Sequence, residues 1–516
     1  MITGTIRRQL KVAWADIERA KKVLSQESGA TVRNWGGKLP LGLVYANSYG
    51  VGMSNLAIQG LYRWLNAHPS IVCERAFAWL GARPSPQELP LTLESQRALH
   101  ECAALLVSLS FELDYLNLVE MLPRASIPAR ARERGDELPL VILGGPAVSA
   151  NPLPLSAVAD AVVIGEVEPI LTALCMLLVE TQGLARADRL AALAQLEGVY
   201  VPALHAGEPV RRLVQPDLDE WLVASVIHAP RSEFGAMHLV EIARGCEHAC
   251  RFCLAGCWYA PRRERSLEQV LAQVELGTRV GKRVGLVAAS VSDYSQLDQL
   301  LDGADALGAR LAVSSLRAND LQPRLMEVLL RGGTRTLTLA PEAGSQRLRD
   351  LMHKQLTADQ IMRSASTAAD YPFEAIKLYF IIGLPSEEDE DVLEIAQLAG
   401  QVQSASGKRV VVNVTPFVPK AHTAWQRQAM CPADVLQRRL RLLKKVLTPG
   451  HMQLRHESVR SSILQAVLAR GDARVGEALL ASDKVLDALT QQGNDPQAYL
   501  GGMPAPARLP WSFIRI

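Results

Sequence analysis

The sequence predicts two α/β units in tandem: a doubly wound parallel sheet, then a partial (β/α)6 barrel, with a helical region at the C-terminus. Three observations predict this. Short apolar runs alternate with helical stretches over about 130 residues of the N-terminal part. The same alternation restarts at His238 and continues for about 180 residues. The chain, at 516 residues, is too long for a single core. Continuous apolar strands separated by helices describe parallel sheets covered on both faces.

Residues 5–27 fit an amphipathic helix, with Ile6, Leu10, Ala13, Ile17, Ala20, Val23 and Leu24 near helical spacing. The first apolar run, Leu41–Ala46, leads into the glycine-rich Tyr49–Ser54 and a helix pattern over Leu56–Leu65. Ile71–Phe77, Leu105–Ser110, Leu140–Gly144 and Ala161–Gly165 continue the series. Sheets of this kind bind ligands beyond the carboxyl ends of their strands, here at the loops 47–54 and 144–151. Residues 196–232 read as strand-and-turn linker.

The second series has strands expected at His238–Ala243, Val284–Ala288, Leu311–Ser315, Thr334–Ala340, Ile376–Ile382 and Val410–Thr415. Helix patterns such as Leu267–Leu276 and Pro323–Leu330 fill the gaps. Six such units suggest a partial barrel, whose chemistry sits on loops at the C-terminal ends of its strands. Residues 432–485 are mostly helical in pattern, and the tail from Gly493 is rich in Pro and Gly. The expected organisation is a helical arm over 1–35, the doubly wound domain over 36–195, a linker over 196–234, the barrel over 235–430 and the C-terminal helical region and tail over 431–516.

The totals exclude several classes. Lys and Arg number 55 against 53 Asp and Glu, which leaves a formal charge of +2 and no broad footprint for nucleic acid. The start of the chain lacks the apolar stretch of a signal peptide, and no apolar run is long enough to span a bilayer. The chain therefore reads as soluble and cytoplasmic, with no membrane partner. Of the 8 cysteines, Cys246, Cys250, Cys253 and Cys257 cluster while the others are scattered singly. A disulfide framework would spread its pairs, so the pattern favours metal.

The cluster lies in Arg244-Gly-Cys-Glu-His-Ala-Cys-Arg-Phe-Cys253, a C-x3-C-x-F-C spacing directly after the first strand of the second series. Three thiolates can hold three irons of a [4Fe–4S] cluster and leave the fourth open to a ligand. Two alternatives stay open on spacing alone. One is a structural zinc site with His248 as fourth ligand. The other is a closed four-cysteine cluster that uses Cys257.

The motif resembles the signature of the radical S-adenosylmethionine (radical SAM) enzymes, down to the aromatic Phe252 before the third cysteine. The family's fold is a six-stranded partial TIM barrel, which agrees with the six units. The resemblance implies that Cys246, Cys250 and Cys253 ligate the cluster, and that SAM chelates the open iron and is cleaved to a 5′-deoxyadenosyl radical. It also implies an external reductant such as a flavodoxin or ferredoxin.

Further strand ends extend the likeness. Ser290, Ser292 and Asp293 stand where the family usually has Gly-Gly-Glu. Ser314 and Arg317 follow the third strand, within reach of the ribose or carboxylate of SAM. Glu342 and Ser345 belong to a Glu-x-Gly-Ser element similar to that of the methylthiotransferase-like branch. Ile382 and Gly383 open an element, Gly-Leu-Pro-Ser-Glu, whose backbone meets adenine in that branch. Taken singly, each of these segments is an ordinary cap, turn or ion pair. Their order along the barrel is what points to function.

A doubly wound domain before such a barrel resembles the cobalamin-binding (Rossmann-like) arrangement of one large subclass. Gly144, Gly145 and Pro146, followed by Gly165 and Glu166, look like that subclass's pattern. Its Asp-x-His-x-x-Gly element is missing; the loop here carries Tyr49, Gly50 and Gly52. The resemblance thus implies cobalamin, held without a protein histidine ligand, as an optional third cofactor. The other expectation for this domain is that it binds substrate or packs on the barrel. Arg470 and Arg474 read either as a solvated helix face or as contacts to an anionic substrate.

The function expected is a radical SAM enzyme acting on an unknown substrate, with cobalamin-dependent methyl transfer to an unactivated carbon as the sharper version. A cobalamin-independent rearrangement, sulfur insertion or oxidation is the alternative. A cluster- or corrinoid-binding sensor or carrier is the non-enzymatic one, and the ordered strand ends argue against it.

Overall fold

The computed structural model describes residues 12–516 except 86, 206, 314, 315 and 320. The first helix runs Trp14–Leu24, and the expected Ile6 and Leu10 lie outside the described residues.

The N-terminal sheet comprises β1 (Leu39–Ser48), β2 (Ile71–Trp79), β3 (Ala104–Ser108), β4 (Leu140–Gly144), β5 (Ala161–Val163) and β6 (Val199–Tyr200), in the order β2-β1-β3-β4-β5-β6. The first five strands are parallel and β6 is antiparallel to β5. The chain steps from β1 to β2 on one side and then crosses back to β3 on the other side of β1, so the topological switch point lies between β1 and β3. Both faces are covered. Leu41, Leu43 and Tyr45 of β1 pack with Ile58 and Tyr62 of helix 56–67 and with Leu171 and Leu174 of helix 168–180. Val44 and Ala46 share a second core with Tyr115, Leu118 and Met121 of helix 114–124. Burial on two sides is why these strands read as unbroken apolar runs.

A short strand β7 (Val210–Arg211) lies in the segment that joins this sheet to the next. The second unit begins with β8 (His238–Glu241) and β9 (Ala243–Arg244); β10 (Arg263–Glu264) pairs antiparallel with β9. Then follow β11 (Val284–Val287), β12 (Leu311–Val313), β13 (Thr336–Glu342), β14 (Ala375–Ile382), β15 (Arg409–Pro416) and β16 (Gln453–His456). They form two parallel stretches, β12-β11-β8 and β13-β14-β15-β16, joined by a parallel bridge between Leu316 and Leu339. The sheet therefore curls as a partial barrel with helices outside. It gains one strand beyond the six expected, because β16 pairs with β15. This strand lies within 431–516, the stretch expected to be helical. β17 (Ile514–Arg515) returns to pair with β7.

Two further expectations need correction. Tyr49–Met53 is a turn of α-helix and not an open loop; the Ser48 hydroxyl accepts from the Val51 amide to cap it. Arg470 and Arg474 do not share a helix. Arg470 is fully buried and donates to the carbonyls of Gln428 and Gly501, both at 2.7 Å. Arg474, on the next helix, is held by Asp472 at 2.6 Å. Neither is a free cation. Among the described residues no helix is long and apolar enough to cross a membrane.

Candidate active site

The cysteine loop leaves the barrel at β9 and returns at β10, so the antiparallel pairing of Arg244 with Arg263 pins its two ends together. Gly245 makes the exit turn at φ +85°, where a Cβ would stand 2.4 Å from the Tyr259 carbonyl oxygen. Beyond it the chain needs the αL region once more, at Ala249 (φ +49°). At its far side the Arg251 amide donates to the Met352 carbonyl, and Phe252 packs on a small apolar cluster with Met352, Ile381 and Trp425. That contact explains the aromatic before the third cysteine: it seats the loop on the mouth of the barrel.

Cys246, Cys250 and Cys253 are all free and half-buried on this loop. Burial pushes the Cys250 and Cys253 thiols up; Cys253 feels Cys246, and Cys250 feels Cys253. The backbone amides of Gly256 and Ala255, at the start of the next helix, pull Cys253 the other way, as does the charge of Lys354 at Cys250. Among the described residues no three His, Cys, Asp or Glu side chains are drawn up at metal-ligand separation. The loop's donor set is three unbonded thiols with N–H donors and a cation beside them, which suits an iron–sulfur cluster. The two alternative fourth ligands are engaged elsewhere. His248 Nε2 lies 2.6 Å from Asp293 Oδ2. Cys257 sits on the short helix after the loop and donates to the Leu254 carbonyl at 3.2 Å, its thiol pushed up to about 11 by burial.

The other expected residues divide into those that gather here and those that do not. Asp293 joins the site through His248, and its carbonyl accepts from Arg262 at 2.5 Å; Ser290 and Ser292 face each other 3.3 Å apart beside it. Ser314 lies outside the described residues. Arg317 donates to the Gln355 carbonyl at 3.0 Å and to the Lys354 carbonyl, close enough to act on Cys250. Glu342 adopts φ +69°, a left-handed backbone that a residue with a Cβ takes only under constraint. Its carboxylate takes Lys354 Nζ at 3.0 Å, beside Cys250. Lys354, missed in the sequence, follows a run with no strand-end signal to mark it.

Ser345 is instead structural. It is buried, caps the helix 346–351 and donates to Asp391 at 2.6 Å. At the end of β14 the Ile382 carbonyl accepts from the Phe417 amide, and the Gly383 amide donates to Glu387. Glu387 in turn pairs with buried Arg439 at 2.6 Å, and burial raises its carboxyl to about 7 despite that cation.

On the other side of the cysteine loop lies a cavity of about 410 Å³ between the two units. Its floor is the carboxyl edge of the N-terminal sheet: Gly144, Gly145, Pro146, Gly165 and Glu166 all line it. Its roof is Gly245, Ala255, Trp258 and Tyr259 of the cysteine loop, with Val287 and Ala288 at the end of β11. A deeper arm runs between the sheet and the helices 56–67 and 168–180, past Leu43, Ile142, Leu61, Trp64 and Leu174. Gly145 holds φ +100° to turn the chain there, while a Cβ on Gly144 would meet nothing within 4 Å. Tyr49, Gly50 and Gly52 do not reach the cavity. The Tyr49 hydroxyl donates to Glu27 at 2.6 Å, and Gly52 packs against Phe77.

An ion network ties floor to roof. Arg244, the residue before the exit turn, reaches Glu166 and Glu168 at 2.9 Å and Glu241 at 3.0 Å, and Arg263 clasps Glu166 at 2.8 Å. Burial pushes Glu241 up, but Arg244 and Arg265 outweigh it and hold the carboxyl below its ordinary value. Glu166 thus serves as an interdomain anchor on the cavity's rim. The Arg-Gly-Cys sequence hinted at Arg244's importance only by adjacency.

A family model for the radical SAM superfamily matches residues 240–399, and one for the N-terminal part of radical SAM proteins matches 57–202. The uncharacterized protein MJ0966 of Methanocaldococcus jannaschii is 30% identical over 444 residues, covering 85% of this chain and 90% of its own. The chain belongs to the radical SAM superfamily. Membership makes it an enzyme that uses a [4Fe–4S] cluster and SAM and needs a substrate and a reductant. Two solved structures share the fold. The radical SAM methyltransferase TsrM of Kitasatospora setae, solved with cobalamin and a [4Fe–4S] cluster, aligns at TM-score 0.50 and 14% identity over 73% of this chain and 72% of its own. The cobalamin-dependent radical SAM enzyme OxsB, solved with aqua-cobalamin and SAM, aligns at 0.51 and 14% over 80% of this chain and 56% of its own.

Proposed function

We propose that this radical SAM enzyme binds cobalamin in the cavity between its two units and transfers a methyl group to an unactivated carbon. The cavity carries the reading. It opens at the carboxyl edge of a doubly wound sheet and is roofed by the cysteine loop. Gly144 leaves its floor free for a large planar ring, and the apolar arm beneath suits a flat aromatic appendage. No histidine lines the cavity among the described residues, which suits a corrin held without a protein histidine ligand.

Cys246, Cys250 and Cys253 would hold the cluster. Lys354, Arg317 and Glu342 form the polar wall next to it and are the candidates to orient SAM. Together, the bound cofactors would supply a carbon-centred radical and a transferable methyl group. The chain's own part is positional. Arg244 and Arg263 fix the roof to the floor through Glu166, and Trp258 and Tyr259 line the roof, where they would help to keep water from the bound groups.

Anaerobic purification in the presence of hydroxocobalamin tests this. A corrin absorption that survives desalting, with 5′-deoxyadenosine formed from SAM after reduction, is expected. Deoxyadenosine without retained corrin would sink the cobalamin part alone. Undiminished SAM cleavage by Cys250→Ala would sink the cluster assignment.

A further inference from the structure

The sheet β13–β16 has two unlike faces. Ile376, Leu378, Phe380 and Ile382 of β14, with Val410, Val412 and Val414 of β15, are buried in the main core. Side chains alternate along a strand, so Lys377 and Tyr379 point to the barrel's inner face. The parallel register puts Tyr379 beside Asn413, and Asn413 beside Arg455 of β16. Arg409, opposite Ala375, begins the same face. Tyr379 is 37% exposed although it lies mid-strand in an inner strand.

Barrel interiors are ordinarily filled by apolar side chains. This one carries Lys377, Arg409 and Arg455. Among the described residues, Lys377, Arg409, Tyr379 and Asn413 have no side-chain hydrogen bond or ion pair. Arg455 reaches only Gln453, at 3.3 Å on its own strand, which keeps both on one face. The one acid at an inner position of these strands is Glu342 at the upper rim, and Lys354 engages it at 3.0 Å. Three cations on a concave surface with no carboxylate to answer them repel one another and attract an anion. The wall across from them is different: Val287 of β11 is apolar and 38% exposed, and it also borders the cavity.

We propose that this inner face is the substrate site, and that the substrate is a small molecule with an apolar skeleton and one carboxylate or phosphate group. Lys377 and Arg455 attract the anion, with Arg409 adding to the field at the strand's start. The Tyr379 hydroxyl and the Asn413 amide, side by side, set its direction. The skeleton lies toward Val287, on the side of the cysteine loop and the cavity, where a hydrogen is to be removed. The inference rests on the radical SAM reading of the barrel, because that reading puts the chemistry at the C-terminal mouth, above this face.

Isothermal titration calorimetry on the anaerobic, cluster-loaded full chain tests it, with phenyl phosphate, benzoate and the neutral benzyl alcohol as probes and SAM titrated in parallel. One of the two anions should bind and benzyl alcohol should not; which anion binds separates phosphate from carboxylate. Lys377→Met/Arg455→Met should weaken that anion at least tenfold and leave SAM affinity and the cluster absorption as in the parent. The milder Tyr379→Phe, which keeps the ring, should weaken it measurably as well. Anions that bind no better than benzyl alcohol, or equally well to the double variant, overturn the proposal. A parallel loss of SAM affinity also overturns it, by assigning these cations to the cofactor. Failure of the radical SAM reading shows separately, as a parent protein without cluster absorption or SAM binding.

Discussion

Tyr49–Ser54 and Gly144–Pro146 follow β1 and β4 of one sheet, with β3 between them, and both contain two glycines. Yet the protein fills the space around the first and leaves the space beside the second open. A Cβ on Gly52 would stand 2.5 Å from the Phe77 ring, and one on Gly50 3.0 Å from Glu233. A Cβ on Gly144 would meet nothing. The first stretch is glycine because protein packs closely against it. The second is glycine at a point where room is left over, which is what a ligand needs. The same composition therefore serves core in one place and site in the other, and only the neighbours tell them apart.

Four experiments press on that contrast, in falling order of expected effect. Arg244 links the rim of the open stretch to the cysteine loop, and Arg244→Met leaves Glu166, Glu168 and Glu241 short of a buried partner. A loss of about 3–5 kcal/mol is expected in chemical denaturation. A variant as stable as the parent would mean that the two units are not held by this network.

Asp114, beside the filled stretch, is buried and takes Asn47 Nδ2 at 2.6 Å. Burial raises its carboxyl to about 6 from an ordinary value near 3.8. A folded-state value above the unfolded one means that the protonated acid favours folding. That stability is full below about pH 4 and is lost as pH rises through about 6, a change on the order of 2–3 kcal/mol. Asp114→Asn should flatten the stability profile across that window. An unchanged profile would place the titration elsewhere.

Gly52→Val should cost about 1–3 kcal/mol through overpacking against Phe77 and Tyr45. Any loss of corrin in this variant should track its lower melting temperature. Gly144→Leu should do the reverse. Its stability should stay within about 0.5 kcal/mol of the parent, while corrin retention after desalting falls at least tenfold. Equal behaviour of the two variants would erase the distinction between the stretches.

Much of the fold is legible in the sequence. The β1–β5 series was readable because strands buried on both faces are apolar throughout, and β8 and β11–β15 because their apolar residues still recur between helix patterns; β10, Arg263–Glu264, carried no such run. β16 was not readable: Gln453-Leu-Arg-His456 has one edge against solvent and three exposed side chains, so it carries no apolar run. The candidate cluster cysteines, Cys246, Cys250 and Cys253, stood out from their spacing alone. Ser345 and Gly383 looked the same in sequence as ligand contacts; the fold gives the Ser345 hydroxyl to Asp391, 46 residues on, and the Gly383 amide to Glu387 across a turn, partners that spacing does not announce.

The sequence by itself determined the architecture and the cofactor class, because periodicity and thiol spacing are local properties. Tertiary structure alone decided which glycines frame a cavity, which arginines are spent, and which cations are left facing the barrel's interior. Those outcomes depend on the packing of strands far apart in the chain, where the partner that fills a space or neutralises a charge is not a sequence neighbour.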